Sequence, residues 1–153
     1  MFIAEFAGRS SGKLSNSFRP YDVQLRRELG LLDGDERFAY LFYYVPDDAG
    51  WPDAPGFDQS KYDQEYLQSA GSAERMTIEI RRLEEDGRYH QYAVGRPGGA
   101  SEPHDQQIAF AENTLTVPMS EVFDADEAAP LYFHYFQTRS LPDGLALREL
   151  DLN

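Results

Sequence analysis

The sequence predicts an α+β fold: a mostly antiparallel sheet built from hairpins, with two or three helices packed on one face. Three observations carry this. Arg37 to Val45, RFAYLFYYV, is apolar on both alternating sides, as an interior strand covered on both faces requires. Two Gly-bearing turns, Glu85-Asp86-Gly87 and Pro142-Asp143-Gly144, lie between apolar runs and read as hairpin loops. Tyr21, Leu25, Leu29 and Leu32 recur at helical spacing. The 153 residues fit a single domain, 1–153, long enough to bury one core without metal or disulfide.

In chain order, Phe2 to Phe6 alternates weakly and predicts a first strand. Gly8 to Ser17, rich in Gly and Ser, reads as a loop. Pro20 suits the first turn of the helix at Tyr21, which ends near Asp33-Gly34-Asp35 with Arg26, Arg27 and Glu28 off its apolar stripe. After the strand at Arg37–Val45, PDDAGWPDAPGFDQ holds three prolines and two glycines and predicts a long irregular loop. Ser60 is placed to cap a second helix whose stripe is Tyr62, Tyr66, Leu67 and Ala70, with Gly71 to end it.

The hairpin in MTIEIRRLEEDGRYHQYAV has two possible registers. A three-residue Glu85-Asp86-Gly87 loop pairs Ile80 with Tyr92, Ile78 with Val94 and Arg82 with His90, and so joins apolar to apolar. Gln107–Ala111 and Thr114–Val117 predict short strands, and Met119–Ala129 a short helix ended by Pro130. A last hairpin over LYFHYFQTRSLPDGLALRELDL pairs Phe136 with Leu150 and His134 with Leu152.

The net charge is −13, which sets nucleic acid and anionic membrane aside as expected partners. Disordered acidic chains are poor in aromatics, whereas this one is 14% aromatic, so a folded, ring-rich core is expected. The absence of cysteine removes thiol catalysis, disulfides and Cys-based metal sites. The start, MFIAEFAGRS, has no leader pattern, and Phe38–Val45 is too short an apolar run to span a bilayer, so the expected compartment is the cytoplasm. The charge is unevenly placed. Residues 38–74 carry seven carboxylates against Lys61, net −6; residues 97–138 carry seven and no cation, net −7. The remaining segments balance.

Motifs for catalysis or cofactors are absent from this pattern. GRSSGK at Gly8 to Lys13 has three residues between its glycines where a phosphate loop has four, and Leu14 follows the Lys. The three histidines, His90, His104 and His134, are not at metal-ligand spacing. His104 lies near Glu102 and Asp105 in an expected exposed loop; His134 is expected on the apolar side of a strand as a hydrogen-bonded core residue. No cofactor, metal or catalytic residue is expected.

The long loop holds the one feature above background. The sole Trp, Trp51, lies among Asp47, Asp48, Asp53 and Asp58, with Phe57 beside it. An aromatic anchor with a carboxylate rim suits a protein contact, because Trp is enriched at binding hot spots and acidic rims steer basic partners. The alternative for Trp51 is burial against the sheet edge. The expected function is a non-catalytic acidic protein-binding domain, an immunity-type inhibitor of a basic toxin or enzyme. The alternative is a small-molecule-binding α+β domain with an aromatic-lined cavity. The sequence sets no oligomeric state.

Overall fold

The computed structural model describes residues 1–7, 10–15, 18–50 and 54–151. Its elements are β1 (Phe2–Phe6), β2 (Ser10–Lys13), α1 (Tyr21–Leu29), β3 (Ala39–Tyr44), β4 (Tyr66–Gly71), β5 (Met76–Leu83), β6 (Tyr89–Gly95), β7 (Gln106–Phe110), β8 (Asn113–Val117), α2 (Ala125–Thr138) and β9 (Ala146–Glu149). Seven strands form one antiparallel sheet in the order β2-β1-β3-β4-β5-β6-β9, and β7-β8 form a separate hairpin. The α+β class is therefore as expected, and β3 is interior, between β1 and β4.

The main core fills the space between one sheet face and the two helices. The sheet contributes Phe2, Tyr40, Phe42, Leu67, Ile78, Ile80 and Val94. Helix α1 turns Leu25 and Leu29 inward, and α2 turns Ala128, Tyr132 and Tyr135. The aromatic excess is spent on rings packed against rings: Phe2 stacks on Phe42 with centroids 4.8 Å apart, and Tyr21 meets Phe136 at 4.4 Å. A fully buried ring such as that of Phe42 contributes about 1.5–3 kcal/mol. The hydroxyl of buried Tyr132 reaches Ser69 at 2.9 Å, so the phenol enters the core with its polar end satisfied.

The β5–β6 hairpin has the predicted register, with Ile80 opposite Tyr92 and Arg82 opposite His90. Gly87 at φ 77° takes the left-handed position that this turn needs.

Four predicted elements differ, among them the short helix expected over Met119–Ala129, where a 3-10 turn at Met119–Glu121 precedes a helix that starts only at Ala125. Part of the Gly8–Ser17 loop is strand β2, paired antiparallel with β1, Ile3 opposite Lys13. The helix expected from Ser60 is strand β4. Asp58, not Ser60, caps a single 3-10 turn at Gln59–Lys61, its carboxylate accepting from the Ser60 N–H. Because β4 lies between β3 and β5 and its inner face is packed, Leu67 and Ser69 are buried while Tyr66 joins the opposite face, and the strand lacks a polar stripe. Gly71 does terminate the segment, but as a strand end at φ 123°, where a Cβ would collide with the Arg75 carbonyl.

The last difference is the C-terminal hairpin. Leu131 to Thr138 belongs to helix α2, and only Ala146–Glu149 is strand, paired with β6 rather than with the Phe136 segment. Leu152 lies outside the described residues. The helix begins with a capping box: Asp124 accepts from the Glu127 N–H at 2.8 Å, and Glu127 accepts from the Asp124 N–H at 3.0 Å. Pro130 does not end it. Pro130 and Asp126, whose carbonyl loses its donor, are both exposed, where water can take that carbonyl.

Candidate functional site

The described residues of the long loop between β3 and β4, 45–50 and 54–65, cover part of the second face of the sheet. Pro46 begins it, Asp47–Ala49 make one 3-10 turn, and Gln59–Lys61 a second. Phe57 and Tyr62, with centroids 5.5 Å apart, pack over Ile3, Tyr43 and Val45 in a small core separate from the main one. Phe57 is thus half-buried and holds the loop down.

Polar ties fasten the same cover. The N-terminal ammonium donates to the Val45 carbonyl at 2.8 Å and to Asp47 at 2.9 Å. Glu5 accepts from the Tyr43 hydroxyl at 2.9 Å and from Gln59 at 3.0 Å. Asp58 accepts from the Ser60 hydroxyl at 2.6 Å. The hydrogen bond from the N-terminal ammonium holds Asp47 below its ordinary pKa, and the Ser60 hydroxyl does the same for Asp58. Both therefore stay charged across the physiological range. Asp47, Asp48 and Asp58 are exposed. Trp51 and Asp53 lie outside the described residues.

The two acid-rich segments have different fates. In residues 97–138, buried Glu121 takes a two-pronged ion pair from Arg148 of β9 at 2.8 and 2.9 Å. Asp126 pairs with Arg26 of α1 at 2.5 Å, and Glu127 with Arg96. Glu102 accepts from the Ser120 N–H at 3.2 Å. In residues 38–74, no carboxylate forms an ion pair with Lys or Arg among the described residues; Asp47 meets the N-terminal ammonium instead.

The histidines occupy separate settings. His134 sits on α2, not on a strand, and its Nδ1–H donates to the Ser140 carbonyl at 3.0 Å. His90 lies between Asp86, at 2.7 Å, and Glu149. Those two carboxylates raise its pKa, Glu149 most, but they hold opposite ring nitrogens and so do not converge on a common point. His104 is exposed. Among the described residues no group of three or more His, Asp or Glu is placed to hold a metal ion.

Glu28 lies off the apolar stripe of its helix, yet it faces β3, where burial raises its pKa and a hydrogen bond from the Tyr40 hydroxyl partly reverses the shift. The sequence signal is faint, since Glu28 merely adjoins buried Leu29.

No helix among the described residues is long and apolar enough to cross a membrane. No protein-family model, curated protein or solved structure matches this chain.

Proposed function

We propose that this chain is a non-catalytic protein-binding domain whose acidic loop engages a basic protein, as an immunity-type inhibitor does when it neutralises a cationic toxin or enzyme. The observation that carries this reading is the state of the loop carboxylates. Asp47, Asp48 and Asp58 are exposed and, among the described residues, make no close ion pair with Lys or Arg, although Lys13 and Lys61 lie near enough to favour the charged forms of Asp47 and Asp58; Phe57, Tyr62 and Glu5 fasten the loop that bears them. A rim already held in place loses little entropy on docking, and its charge raises the encounter rate with a cation-rich surface. Trp51 and Asp53 extend the proposed contact by their place in the sequence, with Trp51 as its apolar anchor. Such an inhibitor acts in the cytoplasm.

The test is the association rate with a basic protein partner, sought first among the products of neighbouring genes. The on-rate is expected to fall roughly tenfold between low and high salt, and roughly tenfold again in D47N/D48N/D58N, with the off-rate nearly unchanged. An on-rate indifferent to both salt and substitution would overturn the steering role of the loop.

A further inference from the structure

A cleft of about 390 Å³ opens at the end of the sheet where β3 stops and β4 begins. Arg81 and Arg82 of β5 and Arg139, which ends α2, line it. Tyr44 and Tyr135 add ring surface and hydroxyls, and Glu65 is the one carboxylate in its wall. Three positive charges against one make a cationic cleft on a chain of net charge −13.

These arginines are not consumed by carboxylates. Among the described residues neither Arg81 nor Arg139 forms an ion pair, and Arg82 stands 4.0 Å from Glu84, the limit of such a contact. The Arg81 Nε–H is held by the Gln64 carbonyl at 3.0 Å, and the guanidiniums lie against rings: Arg81 5.2 Å from the centre of Tyr89, Arg82 4.9 Å from Tyr92 and Arg139 4.5 Å from Tyr44.

Arg139 also occupies a costly position. It takes the left-handed conformation, φ 56°, at the helix end, where glycine is the usual residue. A side chain kept there against about 1 kcal/mol of backbone strain points to a use for that side chain. Part of that use is local, since a cation at the carbonyl end of α2 complements the helix dipole. The arginines of β5 serve no helix end; their local partners are the rings of Tyr89 and Tyr92 and the Gln64 carbonyl. Burial, then Glu65, raises the Tyr135 pKa to about 12, so its hydroxyl remains a neutral donor.

We propose that this cleft binds a small phosphorylated molecule by its phosphomonoester group. The guanidinium fork matches the oxygens of phosphate; Arg82 and Arg139 lie on the helix-bearing side of the sheet, whereas Arg81, its neighbour along β5, leaves the opposite side and adds charge at the cleft rather than a third fork. The volume lies at the lower end of small-ligand pockets, about 300–1,000 Å³. The inference is independent of the acidic loop's role.

The experiment is an amide NMR titration of the full chain with inorganic phosphate, AMP and glucose 6-phosphate, with adenosine and glucose as phosphate-free controls. Saturable shifts around residues 81–82 and 139 are expected with the phosphate-bearing probes and not with the controls. R82Q/R139Q should weaken binding at least tenfold. The single variant R82Q, which leaves the helix end intact, should weaken it in the same direction, and R37Q should leave it unchanged. Equal binding of inorganic phosphate and the two esters supports recognition of the phosphate alone, and tighter binding of one ester supports a site that also reads the attached group. The proposal is overturned if no phosphate probe gives saturable shifts, if adenosine or glucose shifts the same amides, or if a folded R82Q/R139Q binds like the parent chain.

Discussion

The two acid-rich segments are nearly equal in the sequence, net −6 over residues 38–74 and −7 over 97–138, yet they are unlike in the fold. The second is stitched into the structure by arginines from elsewhere: Arg26 from α1, Arg96 from just beyond β6 and Arg148 from β9. The first meets no such arginine among the described residues, and its exposed aspartates lie on a loop held by rings, by hydrogen bonds to the Glu5 carboxylate and by the N-terminal ammonium. A count of charge along the chain therefore does not measure the charge that a partner would feel. In the second segment carboxylates serve cohesion; in the first they remain available outside.

The difference can be broken most sharply at Glu121. Replacing it with Gln should cost about 2–3 kcal/mol, because the charge-assisted pair to Arg148 is lost inside a buried setting. Urea unfolding reads this directly, and a loss below about 0.5 kcal/mol would show that the pair does not hold β9.

Phe57→Ala tests the fastening of the first segment. Its half-buried ring contributes to a small cluster, so a loss of about 1–2 kcal/mol is expected, together with faster amide exchange over residues 54–62. D47N/D48N/D58N should leave the unfolding midpoint nearly unchanged. Removing three exposed charges from an acidic chain also relieves self-repulsion, so a large destabilisation would place these aspartates with the structural carboxylates of the second segment.

The smallest effect belongs to His90, whose two carboxylates lie outside both segments. Hydrogen bonds to Glu149 and then Asp86 raise its pKa, so the folded state favours the charged imidazole. The stabilisation is complete below the unfolded value of about 6.5 and disappears as pH rises through the higher folded value. The melting temperature of H90N should therefore fall below that of the parent chain at pH 5.5 and approach it by pH 9. A gap that widens with pH would reverse the sign of this coupling.

Turn chemistry was the most legible part of the sequence. The Glu85-Asp86-Gly87 loop fixes the β5–β6 register because only one alignment joins apolar residues while giving glycine the left-handed position. Strand β4 was illegible for a physical reason: it is packed between two strands, and Tyr62, Tyr66, Leu67 and Ala70 happen to satisfy helical spacing. Helix α2 was hidden by its own composition, since Tyr, Phe, His, Tyr and Phe in succession favour strand, and Pro130 reads as a stop. Its signal was the Asp124-x-x-Glu127 capping box, which ends five residues before the aromatic run. The acidic loop was legible from its prolines and aspartates. The arginine cleft was not, because its wall is assembled from β3, β5, the end of the loop and the end of α2.

The edge strand β9 carries a consequence for the order in which the molecule is made. Its partner, β6, is synthesised roughly fifty residues earlier, a delay of several seconds on the ribosome. Throughout that interval one margin of the nascent sheet has no strand to bond, and Glu121 emerges before Arg148 exists to meet it. The arrival of β9 thus covers the β6 edge and brings Glu121 its cation in one step, and a ribosome stalled short of Arg148 would hold out the β6 edge to any neighbouring chain.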